Sequence, residues 1–149
     1  AQEISPSQPL TVGIWEYNNQ WQPVENSLNE LILNRSDIIS FHCYEPREKL
    51  TAVIKSLKTH GRPLLCTEWL ARTAGSTVDL LEVFAEYGVG AINWGLVDGR
   101  TQTRFPWRSW TEPVTDEEPW FHELLHKDGS PYDSKETEIF KRLTLKHTP

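Results

Sequence analysis

Four short apolar runs, each followed by a stretch of helical periodicity, leave this chain very few ways to fold. The runs are residues 10–15 (LTVGIW), 37–44 (DIISFHCY), 63–68 (PLLCTE) and 89–94 (VGAINW). Each has the length and flanks of a buried strand. The intervening stretches carry helix signals. Ser27 and Glu30 have capping-box spacing over a stripe of Leu28, Leu31 and Ile32. Pro46 suits a first helical turn, Leu50, Val53, Ile54 and Leu57 follow at helical spacing, and Gly61 fits the position past the end. Ser76 with Asp79 opens a third helix over Leu80, Leu81 and Phe84, stopped by Gly88. Asp133 with Glu136 caps a last one over Ile139, Phe140 and Leu143. Strand and helix alternating four times predict a parallel sheet with right-handed crossovers.

Two architectures compete. An open doubly wound sheet would show a glycine-rich phosphate loop after an early strand, and neither G-x-G-x-x-G nor a P-loop occurs. A (β/α)8 barrel takes about 250 residues, so 149 residues with four units read as half of one. The expected fold is α/β, half of a TIM (β/α)8 barrel with four parallel βα units, in one domain spanning 1–149. Residues 1–9 read as a connector, and a long loop, 95–132, precedes the last helix; connections of that length are usually functional. A half-barrel leaves its first and fourth strands as open edges and uncovers an inner face, with Ile38, Leu64 and Ile92 expected on it. A homodimer closing an eight-stranded ring, or a complementary N-terminal half, is the expected remedy.

The net charge of −6 argues against nucleic acid or an anionic membrane as partner. No apolar run approaches membrane-spanning length, and no secretory signal opens the chain, so the compartment stays open. There is no methionine, and the chain reads as processed or as a piece of a longer one. No Cys or His pair has metal-ligand spacing, and no metal or cofactor is expected. Strand alternation places Cys43 away from the face of His42 and Tyr44, and Cys66 on the face of Glu68. The two cysteines are then buried thiols on opposite faces, which cannot bridge.

The strand ends gather chemistry: His42 and Tyr44 on the second, Glu68 beside Trp69 on the third, Trp94 on the fourth. Tyr and His groups can hold a carboxylate rigid and ionised, and an indole can support a flattened sugar ring. The alternative for Glu68 is a structural ion pair with Arg72 or Arg62. Seven tryptophans, several at strand ends and three (Trp107, Trp110, Trp120) in the long loop, interleave with polar residues. That pattern suits a sugar, with apolar C–H faces and a hydroxyl rim.

The motifs SFHCYEP, GRPLLCTEWLAR and GAINWGLVDGR, in this order after LTVGIW, resemble strands six to eight of a clan A retaining glycoside hydrolase of the cellulase and mannanase type. The resemblance implies a (β/α)8 barrel acting on oligo- or polysaccharides, with Glu68 as nucleophile. It implies His42 and Tyr44 as the residues that place that carboxylate, and Trp94 as the sugar platform, with the neighbouring Trp69 beside it. PYDSKETEIFKRL resembles the helix that closes such barrels. The acid/base glutamate of that family follows an asparagine on the fourth strand, which this chain does not contain. Asn29-Glu30 falls in a predicted helix, and Glu16 and Glu45 at other strand ends are the available stand-ins. The other function carried forward is a non-catalytic half-barrel that assembles or binds carbohydrate weakly. A phosphate-binding open sheet is disfavoured by charge and by the missing loop.

Overall fold

The computed structural model describes residues 2–4 and 6–145. In chain order the elements are β1 (Gly13–Ile14), α1 (Ser27–Arg35), β2 (Ile39–His42), α2 (Arg47–Lys58), β3 (Leu64–Glu68), α3 (Leu81–Tyr87), β4 (Gly90–Ala91) and α4 (Ser134–Leu145). The strands form one all-parallel sheet in the order β1-β2-β3-β4. The expected alternation and strand direction are therefore present. The outer strands are shorter than expected, pairing over two residues each. At β1 a side chain takes over from the backbone: Thr11 Oγ1 accepts the Ser40 N–H at 3.2 Å and donates to Ser40 Oγ at 2.7 Å.

Helix α2 follows its periodicity. Leu50, Val53, Ile54 and Leu57 are all fully buried. They pack against Ile39, Phe41 and Cys43 of the second strand segment, Leu64 and Cys66 of β3, and Val83 and Phe84 of α3. Pro46 stands just before the first turn, where its missing N–H costs nothing. Gly61, at φ 67°, closes the far end by donating its N–H to the Lys58 carbonyl at 3.1 Å.

Elsewhere the local signals resolve differently. The cap of α1 is Asn26, whose side chain accepts from Asn29 N at 2.8 Å, and not Ser27. Only Ile32 of the expected stripe is buried; Leu28 and Leu31 are exposed beside Val12 at the β1 edge. Before α3 the chain makes a 3-10 turn, Val78–Leu80, and Gly88 (φ 64°) ends the helix as expected. Asp133 does cap α4, accepting from Lys135 N at 2.8 Å, but Glu136 turns away to Arg72.

The largest correction concerns β3. Phe41 pairs with Cys66, yet His42 pairs with Glu68, so Thr67 is an extra residue. The insertion inverts the strand's phase. Leu64 and Cys66 face the helix-side core and not the face of Glu68, while Leu65 lies on the opposite face beside Gly90. Cys66 and Cys43 thus share one face, both buried and both free thiols. Burial pushes the Cys43 thiol up to about 11 and the Cys66 thiol well above its usual range. The thiolate is the reactive form. At pH 8 the native protein is expected to react with an aromatic disulfide reagent far more slowly than the same protein in urea. One thiol reacting at the free-cysteine rate in native buffer would contradict the packing.

The long segment after β4 is tied to itself. Leu124 and Leu125 donate to the Leu96 carbonyl at 3.1 and 2.9 Å, and Asp98 donates to the Leu125 carbonyl at 2.8 Å. Gly95 permits that approach, since a Cβ there would lie 3.0 Å from His122 Cβ and 3.1 Å from Glu123 N. Backbone cannot retreat as a flexible side chain can. Gly95→Ala is expected to cost about 1–3 kcal/mol, read as a lower urea midpoint at unchanged m-value; an unchanged midpoint would show that the strands part freely. Among the described residues no helix is long and apolar enough to cross a membrane.

Candidate functional site

The carboxyl ends of β2 and β3 lie side by side, which sets His42 opposite Glu68. Glu68 Oε2 accepts from Tyr44 Oη at 2.7 Å and stands 3.4 Å from His42 Nδ1. Both contacts fall on one oxygen. Its side chain remains 22% exposed. The alternative, a structural ion pair with Arg62 or Arg72, does not form. Arg62 donates to the carbonyls of Leu33, Asn34 and Ser36, and Arg72 grips Glu136. Glu68 is thus a carboxylate held by a phenol with an imidazole beside it, and no arginine or lysine among the described residues pairs with it.

Each holder is itself held. Tyr17 Oη donates to the His42 carbonyl at 2.8 Å, and Trp15 tilts against the His42 ring at 5.8 Å between centroids. Burial pushes the Tyr17 phenol far up, so it stays a neutral donor. The Tyr44 ring meets Trp107 edge-on at 4.9 Å and His122 at 5.6 Å. Burial, then the bond to Glu68, raises the Tyr44 phenol, which keeps its proton and donates it to the carboxylate. His122 is buried, and its Nδ1 is bonded to the Leu70 carbonyl. A carbonyl only accepts, so Nδ1 carries the hydrogen. Burial lowers this imidazole's pKa, against smaller raising effects from the Leu70 bond and the Glu68 charge.

His42, Tyr44 and Glu68 therefore come together as expected. Trp94, three residues past the end of β4, is 55% exposed, with no ring contact to the other three. Trp69 does not belong to the site. It is completely buried, edge-to-face on Phe84 at 5.4 Å. The chain leaves the sheet after Glu68, so the next side chain drops into the helix layer. Trp120 is also buried, stacked on Tyr132 at 4.6 Å. Sequence reasoning missed Tyr17, Trp107 and His122. Only Trp107 had a visible signal, as one of the tryptophans in an unusually long loop.

A carboxylate with one oxygen fixed and the other unpartnered among the described residues can act as a nucleophile or as a base. The other strand-end carboxylates are differently placed. Glu45 is tied to Lys49 at 2.9 Å, and Glu16 is exposed. Glu123 is buried, accepting from Thr103, and burial raises its pKa. Among the described residues no group of three or more His, Cys, Asp or Glu side chains is assembled to hold a metal ion. No protein-family model matches the chain, and no curated protein matches it.

Proposed function

We propose that this chain is half of a (β/α)8 barrel from a glycoside hydrolase acting on β-linked glycans by a retaining mechanism, with Glu68 as the nucleophile. The observation that carries this reading is the hold on Glu68: Tyr44 donates to Oε2, His42 Nδ1 stands 3.4 Å from it, no arginine or lysine among the described residues pairs with it, and it sits at the carboxyl end of a parallel strand. In the reaction the Glu68 carboxylate attacks the anomeric carbon. The bond from that carbon to the leaving-group oxygen breaks, and the leaving group departs with its electron pair. Water then hydrolyses the glycosyl ester.

Completion by a second half fits the uncovered surfaces. Trp15, Ile92 and Trp94 stand exposed on the face away from the core. The β1 edge opens a cleft lined by Leu10, Val12, Leu28 and Leu31, and the β4 edge one lined by Ala91, Phe140 and Leu143. Neighbouring βα units would cover both, whether from a second copy or from a complementary N-terminal half. A second reading, a half-barrel that only assembles or binds sugar weakly, draws support from the other carboxylates: Glu45 is tied to Lys49, and Glu123 is buried on Thr103.

A glycoside with a dinitrophenolate leaving group needs no general acid, so it separates the two. Incubation with a 2,4-dinitrophenyl 2-deoxy-2-fluoro-β-glycoside is expected to add one fluoroglycosyl mass to the Glu68 peptide. An unlabelled protein, or a label elsewhere, would remove Glu68 from its role. Sedimentation of the same sample reads the assembly: a dimer supports a second copy as the missing half, and a monomer points to a separate half.

A further inference from the structure

Resting on the carbohydrate reading above, we infer that Trp110 is a distal binding platform for a polymeric β-linked glycan, set on the turn whose first tryptophan packs against Tyr44. Trp107–Trp110 is a 3-10 turn. In such a turn the rise is roughly 2 Å per residue, so the backbones of the two tryptophans are about 6 Å apart along it. Trp107 is the inner member, fixed edge-on against Tyr44 at 4.9 Å and Phe121 at 4.8 Å. Tyr44 in turn holds Glu68. Trp110 is the outer member, 82% exposed and without a ring partner among the described residues.

The turn is braced. Pro106 is buried ahead of it, and its carbonyl takes the Ser109 N–H at 2.9 Å. The Arg108 carbonyl takes the N–H groups of Thr111 and Glu112 at 3.0 and 2.9 Å, and the Arg108 side chain pairs with Glu118. An indole held outward by an ordered turn is preorganised for a ligand. The surroundings say which kind. A flat apolar ring two residues along the chain from the exposed Arg108 and Glu112 side chains offers stacking for a pyranose face, with hydrogen-bonding groups nearby in sequence for its hydroxyls. Trp110 belongs to the turn that packs through Trp107 on Tyr44 and lines neither edge cleft, so covering those edges leaves this platform unaccounted for.

Native electrophoresis of the 149-residue chain through gels containing soluble β-glucan, β-mannan or β-xylan tests this. The parent protein is expected to be retarded by at least one of them. Trp110→Ala should weaken the retardation roughly tenfold, and Trp110→Phe should restore most of it. Trp110→Ala retarded like the parent would overturn the inference, as would loss of a dimer in that variant, which would make Trp110 a protein contact. No retardation of the parent, with Glu68 still labelled by the fluoroglycoside, would overturn the inference and leave the proposed function standing. Retardation that depends on Trp110 with Glu68 unlabelled would do the reverse, keeping the platform and removing the nucleophile.

Discussion

Arg72→Ala is expected to lower the stability of this protein by about 3–5 kcal/mol. The side chains of Arg72 and Glu136 are only 9% and 16% exposed. Their contact is bidentate, Nε to Oε1 at 2.8 Å and Nη2 to Oε2 at 2.6 Å. Nη1 also donates to the Trp120 carbonyl at 3.0 Å, and the guanidinium lies over the Tyr132 ring at 4.9 Å. One side chain therefore joins the exit of β3, the long loop and α4. Truncation strands the Glu136 carboxylate in a poorly hydrated place, which costs more than the attraction alone. Arg72→Lys should recover little, because an ammonium cannot match the fork. Urea unfolding followed by tryptophan emission reads the change, and a loss below about 1 kcal/mol would mean that water already reaches the pair.

Glu68→Gln is expected to slow labelling by the activated fluoroglycoside at least about 10⁴-fold, or roughly 5.4 kcal/mol of barrier. The amide keeps the size of the acid, and its oxygen still accepts from Tyr44 Oη, so folding stability should change by about 1 kcal/mol or less. What disappears is the negative charge that forms the ester in the proposed reaction. Tyr44→Phe leaves that charge but frees Oε2, and should cost roughly 10–100-fold through misplacement. Equal labelling of parent and Glu68→Gln would assign the chemistry to another residue. A large loss of stability in Glu68→Gln would recast the carboxylate as a structural group.

The order of elements was legible because it depends on local periodicity. α2 shows this best: its four apolar positions are all buried where the spacing put them. The pairing of Tyr44 and His42 with Glu68 was legible for a related reason, since two neighbouring parallel strands bring their ends together. The misreadings arise where one rule competes with another. Asn26 outbid Ser27 as a cap one residue earlier. Strict alternation failed at Thr67, and it carried Cys66 and Leu64 to the wrong face with it. Trp69 was misjudged because the chain turns off the sheet immediately after the acid. The wall made by Trp107 and His122 was hidden, because their contacts span long sequence separations and leave no period to detect.

The extra threonine in β3 also bears on how the acid came to stand where it does. Upstream of it the strand obeys the packing needs of the oily layer; downstream it obeys the pocket. The two halves are decoupled by chain length and not by residue type. Deleting Thr67 would leave the acid directly after Cys66, where plain alternation still turns it opposite His42 and away from Phe41 and Cys43. The position of the acid therefore tolerates the gain or loss of one codon here, because the strand takes up the extra residue as a bulge.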